Sequence, residues 1–174
     1  MEQQAQPQQQ VIGKHNLNRN ICACDICKTN CKIIPGYLVF QDILNIYNYY
    51  NPVIGFTCFI QLFFLASPGA IVMKNENIFR IPTIVPTRNK KTNHCIFFTS
   101  DEKCSIHHIS PFGCRYFNCK QTEEEADNIS KLGLNNIIND LEYKKIWITL
   151  NENDLIAESP EKLREKLNGE RNKT

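Results

Sequence analysis

The chain has 174 residues, nine of them cysteine, and a formal net charge of +2 from 20 basic and 18 acidic side chains. That length buries a core without covalent staples, so the cysteines call for a separate reason. The near-neutral balance supplies no basic face, so no nucleic-acid partner is expected, and the short run Arg88-Asn89-Lys90-Lys91 reads as a solvated loop.

In chain order, residues 1–20 are Gln- and Asn-rich and read as a disordered lead-in. They carry no charged segment followed by an apolar one, so no signal peptide is read. A cysteine knot follows in "CDICKTNCKIIPG", closed by the turn Pro35-Gly36. Ile43, Leu44, Ile46 and Tyr47 fall at helical spacing, predicting a short amphipathic helix over 41–50 that ends at Asn51-Pro52, with Asp42 at its start. The run VIGFTCFIQLFFLASPGAIVM (53–73) is long enough to cross a bilayer, but Gln61 and Pro68-Gly69 interrupt it. It reads as a mostly buried helix over 53–66 that hides Cys58, and no membrane partner is expected.

Segments 70–73 and 78–82 then predict a β-hairpin closed by Pro82, and 94–98 with 104–107 predict a smaller one. Residues 110–113 read as a turn. From Thr122, a good N-cap followed by three glutamates, the chain is helical again, with Leu134, Ile137, Ile138, Leu141, Ile146 and Trp147 as its apolar face. A last helix opens at Ser159-Pro160 and ends at Gly169, with Leu163 and Leu167 on one side. The expected domains are a lead-in at 1–20, a cysteine-cluster domain at 21–150 and a helical tail at 151–174.

The thiols form two groups. Cys24, Cys27 and Cys31 are spaced C-x2-C-x3-C; Cys95, Cys104, Cys114 and Cys119 are looser; Cys22 precedes the first group. An odd count fits a closed disulfide set poorly, and a reducing cytoplasm is the expected location. Thiolates two residues apart can face one ion, and a distant cysteine completes the roughly four ligands a soft metal takes. Such a site ties the start of the domain to its middle, and structural zinc is worth about 10–16 kcal/mol in zinc-finger peptides. All-sulfur, unevenly spaced ligands lean towards an iron–sulfur cluster over zinc. Cys24-Asp25-Ile26-Cys27 has the spacing of a redox pair but lacks the flanking strand and helix.

"CDICKTNCKIIPGYL", "LASPGAIV", "FRIPTIVPTR" and "HCIFF…DEKCSIHHISPFGCRYFNC" occur in the order of the motifs of a known family. Over residues 22–120 the chain resembles the YkgJ-type cysteine cluster family, a zinc- or iron-chelating domain. The resemblance implies a small metal-chelating domain with Cys24, Cys27, Cys31, Cys95, Cys104 and Cys114 as motif cysteines. Asn30-Cys31 stands where the family commonly has two adjacent cysteines, and Cys22 lies outside its pattern.

His107 and His108 follow Cys104; as neighbours in a strand they would face opposite ways, which leaves His107 the candidate ligand or supporting donor. Arg115 is placed to bond a cluster sulfur or an acid. No catalytic triad, phosphate loop or carboxylate pair stands out.

The expected architecture is therefore α+β: a mainly helical small domain with short hairpins, organised around a cysteine-ligated metal site. The candidate ligands are Cys22, Cys24, Cys27, Cys31, Cys95, Cys104, Cys114 and Cys119. The function this implies is chelation of an iron–sulfur cluster or zinc. The alternatives are an enzyme using the cluster or a zinc-stabilised module with a protein partner.

Overall fold

Helices dominate the computed structural model, which describes residues 17, 22–74 and 77–171. Except for Leu17, the expected disordered lead-in lies outside those residues. The helices are α1 (Asp25–Ile33), α2 (Phe40–Tyr50), α3 (Phe56–Phe63), the short α4 (Phe112–Arg115), α5 (Glu123–Ile138), α6 (Leu141–Glu152) and α7 (Pro160–Arg171). Between α3 and α4 run β1 (Phe64–Lys74), β2 (Asn77–Pro86) and a 3-10 turn at His107–Ile109. The class is the α+β one expected.

The apolar run after Pro52 does not form one buried helix. It splits at Phe63/Phe64 between α3 and β1, and Cys58 lies exposed on α3. The reason is aromatic: Phe59 and Phe63 stack at 4.5 Å and Phe63 packs on Phe97 at 5.9 Å, which leaves the opposite helix face to solvent. Among the described residues no helix is long and apolar enough to cross a membrane.

The hairpin is longer than its sequence signal. β2 continues through Pro82 because the ladder slips there: Ser67 pairs with Thr83 and Ala70 with Ile81, leaving Pro82 opposite Pro68-Gly69. A proline has no N–H to offer a ladder, so an irregularity is where it fits. Gly69 takes φ 98°, and a Cβ there would stand 1.8 Å from the Ile81 carbonyl oxygen.

Helix α6 fixes the hairpin's base. The Ile84 N–H donates to Tyr143 Oη at 2.6 Å, and Trp147 Nε1 donates to the Ser67 carbonyl at 3.0 Å. Ala66 exchanges backbone bonds with Leu155 and Ala157, while the Leu38 N–H donates to the Ile84 carbonyl. Both edges of the base are thus covered. Around it lies the core, including Leu38, Ile43, Phe59, Ile84, Phe97 and Ile106.

The helical region from Thr122 starts as expected, with Thr122 and Glu125 in a reciprocal cap. It then breaks at Asn139-Asp140, where Asp140 caps a new helix. The break rotates the apolar face, so Ile138 and Leu141 are exposed while Leu134, Ile137 and Ile146 are buried. Helix α7 runs past Gly169 to Arg171, with Leu163 buried; the side chain of Leu167 lies outside what is described. The segments 94–98 and 104–107 form turns joined by a single Phe98–Cys104 bridge rather than a two-stranded hairpin.

Candidate metal centre

The site is built on the first turn of α1. Cys24 is the N-cap and Cys27 stands three residues on, which places both on one face of the helix. Cys22 precedes the helix. Cys119 comes from the loop between α4 and α5, which its own polar side chains shape. There the Asn118 N–H donates to Gln121 Oε1 at 2.9 Å and the Lys120 N–H to Asn118 Oδ1 at 2.9 Å. Gln121 Nε2 closes the loop on the Tyr116 carbonyl at 2.7 Å.

The sulfur atoms of Cys22, Cys24, Cys27 and Cys119 all lie within 4.8 Å of one another. Cys24 and Cys119 are 3.4 Å apart, Cys22 and Cys24 3.6 Å, and Cys22 and Cys119 4.0 Å. Cys27 is buried, Cys22 half-buried, and Cys24 and Cys119 exposed. The quartet can hold a metal ion, since four soft donors converge on one point.

The thiols differ in acidity. The Cys27 N–H, followed by the thiols of Cys119 and Cys22, lowers Cys24 to about 6. A helix N-terminus favours such a thiolate. Burial pushes Cys27 up to about 12, and the hydrogen bond from the Cys119 thiol to Cys24 raises Cys119. Without metal, one negative charge on Cys24 therefore gathers the protons of its neighbours.

The structure thus joins Cys22 and Cys119 to the C-x2-C pair and sets Cys31 apart from it. Cys31, Cys95, Cys104 and Cys114 stand together elsewhere, each within electrostatic reach of the other three. His107 and His108 are not in a strand; both are exposed on or beside the 3-10 turn, and His108 packs edge-on against Tyr49 at 4.7 Å.

Arg115 finds an acid rather than a sulfur. It reaches Asp42 at 3.3 Å and donates to the Ser110 carbonyl at 2.7 and 2.9 Å. Asp42 caps α2 by accepting the Val39 N–H at 3.0 Å, as its position suggests. It also accepts the Phe112 N–H at 2.7 Å from seventy residues away, and no local pattern signals that bond. The sequence places Gly36 and Gly113 in turns but carries no sign that the two meet. Their backbones cross so closely that a Cβ on Gly36 would lie 2.0 Å from the Gly113 carbonyl carbon.

No family model, no curated protein and no solved structure matches the chain.

Proposed function

We propose that the protein is a metal-chelating protein, of the cysteine-cluster kind its sequence resembles, and that Cys22, Cys24, Cys27 and Cys119 hold a single zinc ion. The sulfur separations carry this reading. Two thiolates on one tetrahedral zinc, each bound at about 2.3 Å, stand ~3.8 Å apart. The separations of 3.4, 3.6 and 4.0 Å between Cys22, Cys24 and Cys119 bracket that value. In a multi-iron cluster the four thiolates never share one iron, and those on different irons are kept apart by inorganic sulfide, so a quartet with every sulfur within 4.8 Å of the others suits a single ion better. The spacing moves the weight from the cluster towards a single ion.

Nine free thiols fit a reducing compartment, and the cytoplasm is the location we propose. The ion clips the start of α1 to the loop before α5. The exposed Cys24 and Cys119 leave it open to exchange with outside chelators. The near-neutral charge favours no nucleic-acid partner.

Metal and acid-labile sulfide analysis of anaerobically purified protein, with its visible spectrum, tests the reading. A colourless protein whose zinc is lost in Cys24→Ser supports it. Brown protein whose iron and sulfide disappear in Cys24→Ser replaces zinc with a cluster. Metal content unchanged in Cys24→Ser overturns the assignment of the quartet.

A further inference from the structure

We propose that Cys31, Cys95, Cys104 and Cys114 form a second, partly buried metal centre for a thiophilic cation, zinc or iron, separate from the quartet that ends at Cys119.

Backbone hydrogen bonds stitch the four cysteines together from separate segments. The Cys95 N–H donates at 2.9 Å to the carbonyl of Lys32, the residue after Cys31. From Cys95 the chain turns tightly, the Phe98 N–H donating to the Cys95 carbonyl at 2.9 Å, and Phe98 then bridges to Cys104. Cys114 is delivered by the glycine crossing, where the Gly113 N–H donates to the Tyr37 carbonyl at 2.9 Å.

That crossing also serves the sulfur. The Gly36 N–H points at Cys114 Sγ from 3.1 Å, a distance open only because neither glycine carries a Cβ. The Phe97 N–H is bonded in the same way to the sulfur of Cys95, two residues before it. Amides aimed at sulfur orient and stabilise thiolate ligands at metal sites. A core thiol packed as a small hydrophobe needs no such donor.

Burial is the third observation. Cys95 is 7% exposed, and Cys31, Cys104 and Cys114 are half-buried. Thiolates gathered in such a place repel one another, and a divalent cation inverts that balance. Arg88 adds positive charge beside Cys95 while its guanidinium donates to the Ile33 carbonyl. Soft donors brought side by side by backbone bonds, amides on two of their sulfurs and a shielded setting together describe a ligand set.

Metal analysis and native mass spectrometry of the full chain, purified anaerobically, test the proposal alongside Cys24→Ser and Cys114→Ser. We expect two centres in the parent chain, with Cys24→Ser losing one and keeping the other, and Cys114→Ser doing the converse. Zinc or iron with sulfide at the retained centre would each support the site and identify its cation. Metal lost in Cys114→Ser but unchanged in Cys24→Ser would support this centre and overturn only the first. Metal lost entirely in Cys24→Ser and unchanged in Cys114→Ser would overturn this one. Should Cys114→Ser fail to fold, alkylation mapping of the parent chain before and after chelation decides. Cys31, Cys95, Cys104 and Cys114 becoming reactive together on metal removal supports the centre; reactivity unchanged by metal removal overturns it.

Discussion

Asp42 accepts the Phe112 N–H at 2.7 Å, so the start of α2 is bonded directly to the turn that carries Cys114. The same carboxylate holds the Val39 N–H and faces Arg115. Asp42→Ala strands two buried N–H donors and a partly buried guanidinium. Breaking a buried pair in this way costs about 3–5 kcal/mol. Urea unfolding should show a loss of that size, and a loss below about 1 kcal/mol would contradict the role assigned to Asp42.

The same residue gives stability a pH slope. Burial, working against Arg115 and two backbone donors, lifts the Asp42 carboxyl from 3.8 to about 6. Between those values the folded chain binds more protons at this site than the unfolded chain, so stability falls as pH rises from about 4 to 6. Asp42→Asn has no such proton to bind. Its denaturation midpoints should lack that fall relative to the parent; identical slopes would remove Asp42 as the cause.

Glycine crossing and glycine loop make a matched pair. A methyl on Gly36 meets Gly113 and Cys114 backbone within 2.4 Å, whereas one on Gly55 meets nothing within 4 Å. Forcing backbone apart costs at least the ~1–3 kcal/mol typical of overpacking. Gly36→Ala should therefore lower the melting temperature clearly, with Gly55→Ala, at the N-cap of α3, costing at most about 1 kcal/mol. Equal behaviour of the two would mean the crossing is not tight.

In metal-free protein, Cys24 should be the first of its quartet to react with iodoacetamide. Its thiol is lowered to about 6, while burial raises Cys27 to about 12. The thiolate is the nucleophile, so the Cys24 rate should climb through a midpoint near pH 6 and level off by neutrality. Cys27 should still be climbing at pH 9. Peptide mapping of the alkylated chain reads both, and a Cys24 midpoint near 9 would refute the assigned thiolate.

Zinc binding to folded protein alone stabilises by mass action, by about 2.7 kcal/mol at a free concentration one hundred times the dissociation constant. The melting temperature should rise with buffered zinc. In Cys119→Ser the curve should shift to higher zinc concentration, because one of four donors is gone. A melting temperature indifferent to zinc in both proteins would show that folding and metal are not linked.

What the sequence made legible was local. The start of α2 at Asp42, the Thr122 cap and the opening of α7 at Ser159-Pro160 are each written in a few neighbouring residues. So is the C-x2-C pair of Cys24 and Cys27, which the first turn of α1 sets on one face. Which other thiols join that pair is not, because Cys31 follows Cys27 by only one helical turn and spacing alone groups them. What parts them is long-range: the Cys95 N–H bonds beside Cys31, and the Asn118–Gln121 loop brings Cys119 to Cys24. The division of 53–73 was hidden for a similar reason. Its uniform apolarity gives no period, and residues outside the run, Tyr47, Tyr50 and Phe97, show which face of α3 turns inward.

The two thiol sets are nested along the chain like paired brackets: Cys22, Cys24 and Cys27 open the outer pair that Cys119 closes, and Cys31 opens the inner pair that Cys114 closes. During synthesis the inner set is complete before Cys119 has emerged. Once it closes, the end of α1 is already held beside the loop at 95, and Cys119 has only the few residues after Cys114 to search through. Loop closure grows costlier with the length left free, so the first closure makes the second easier. With a metal in each set, the order would reverse on its loss, because Cys24 and Cys119 of the outer set are exposed. On the two-centre proposal the protein assembles from its inside outward and is stripped from its outside inward.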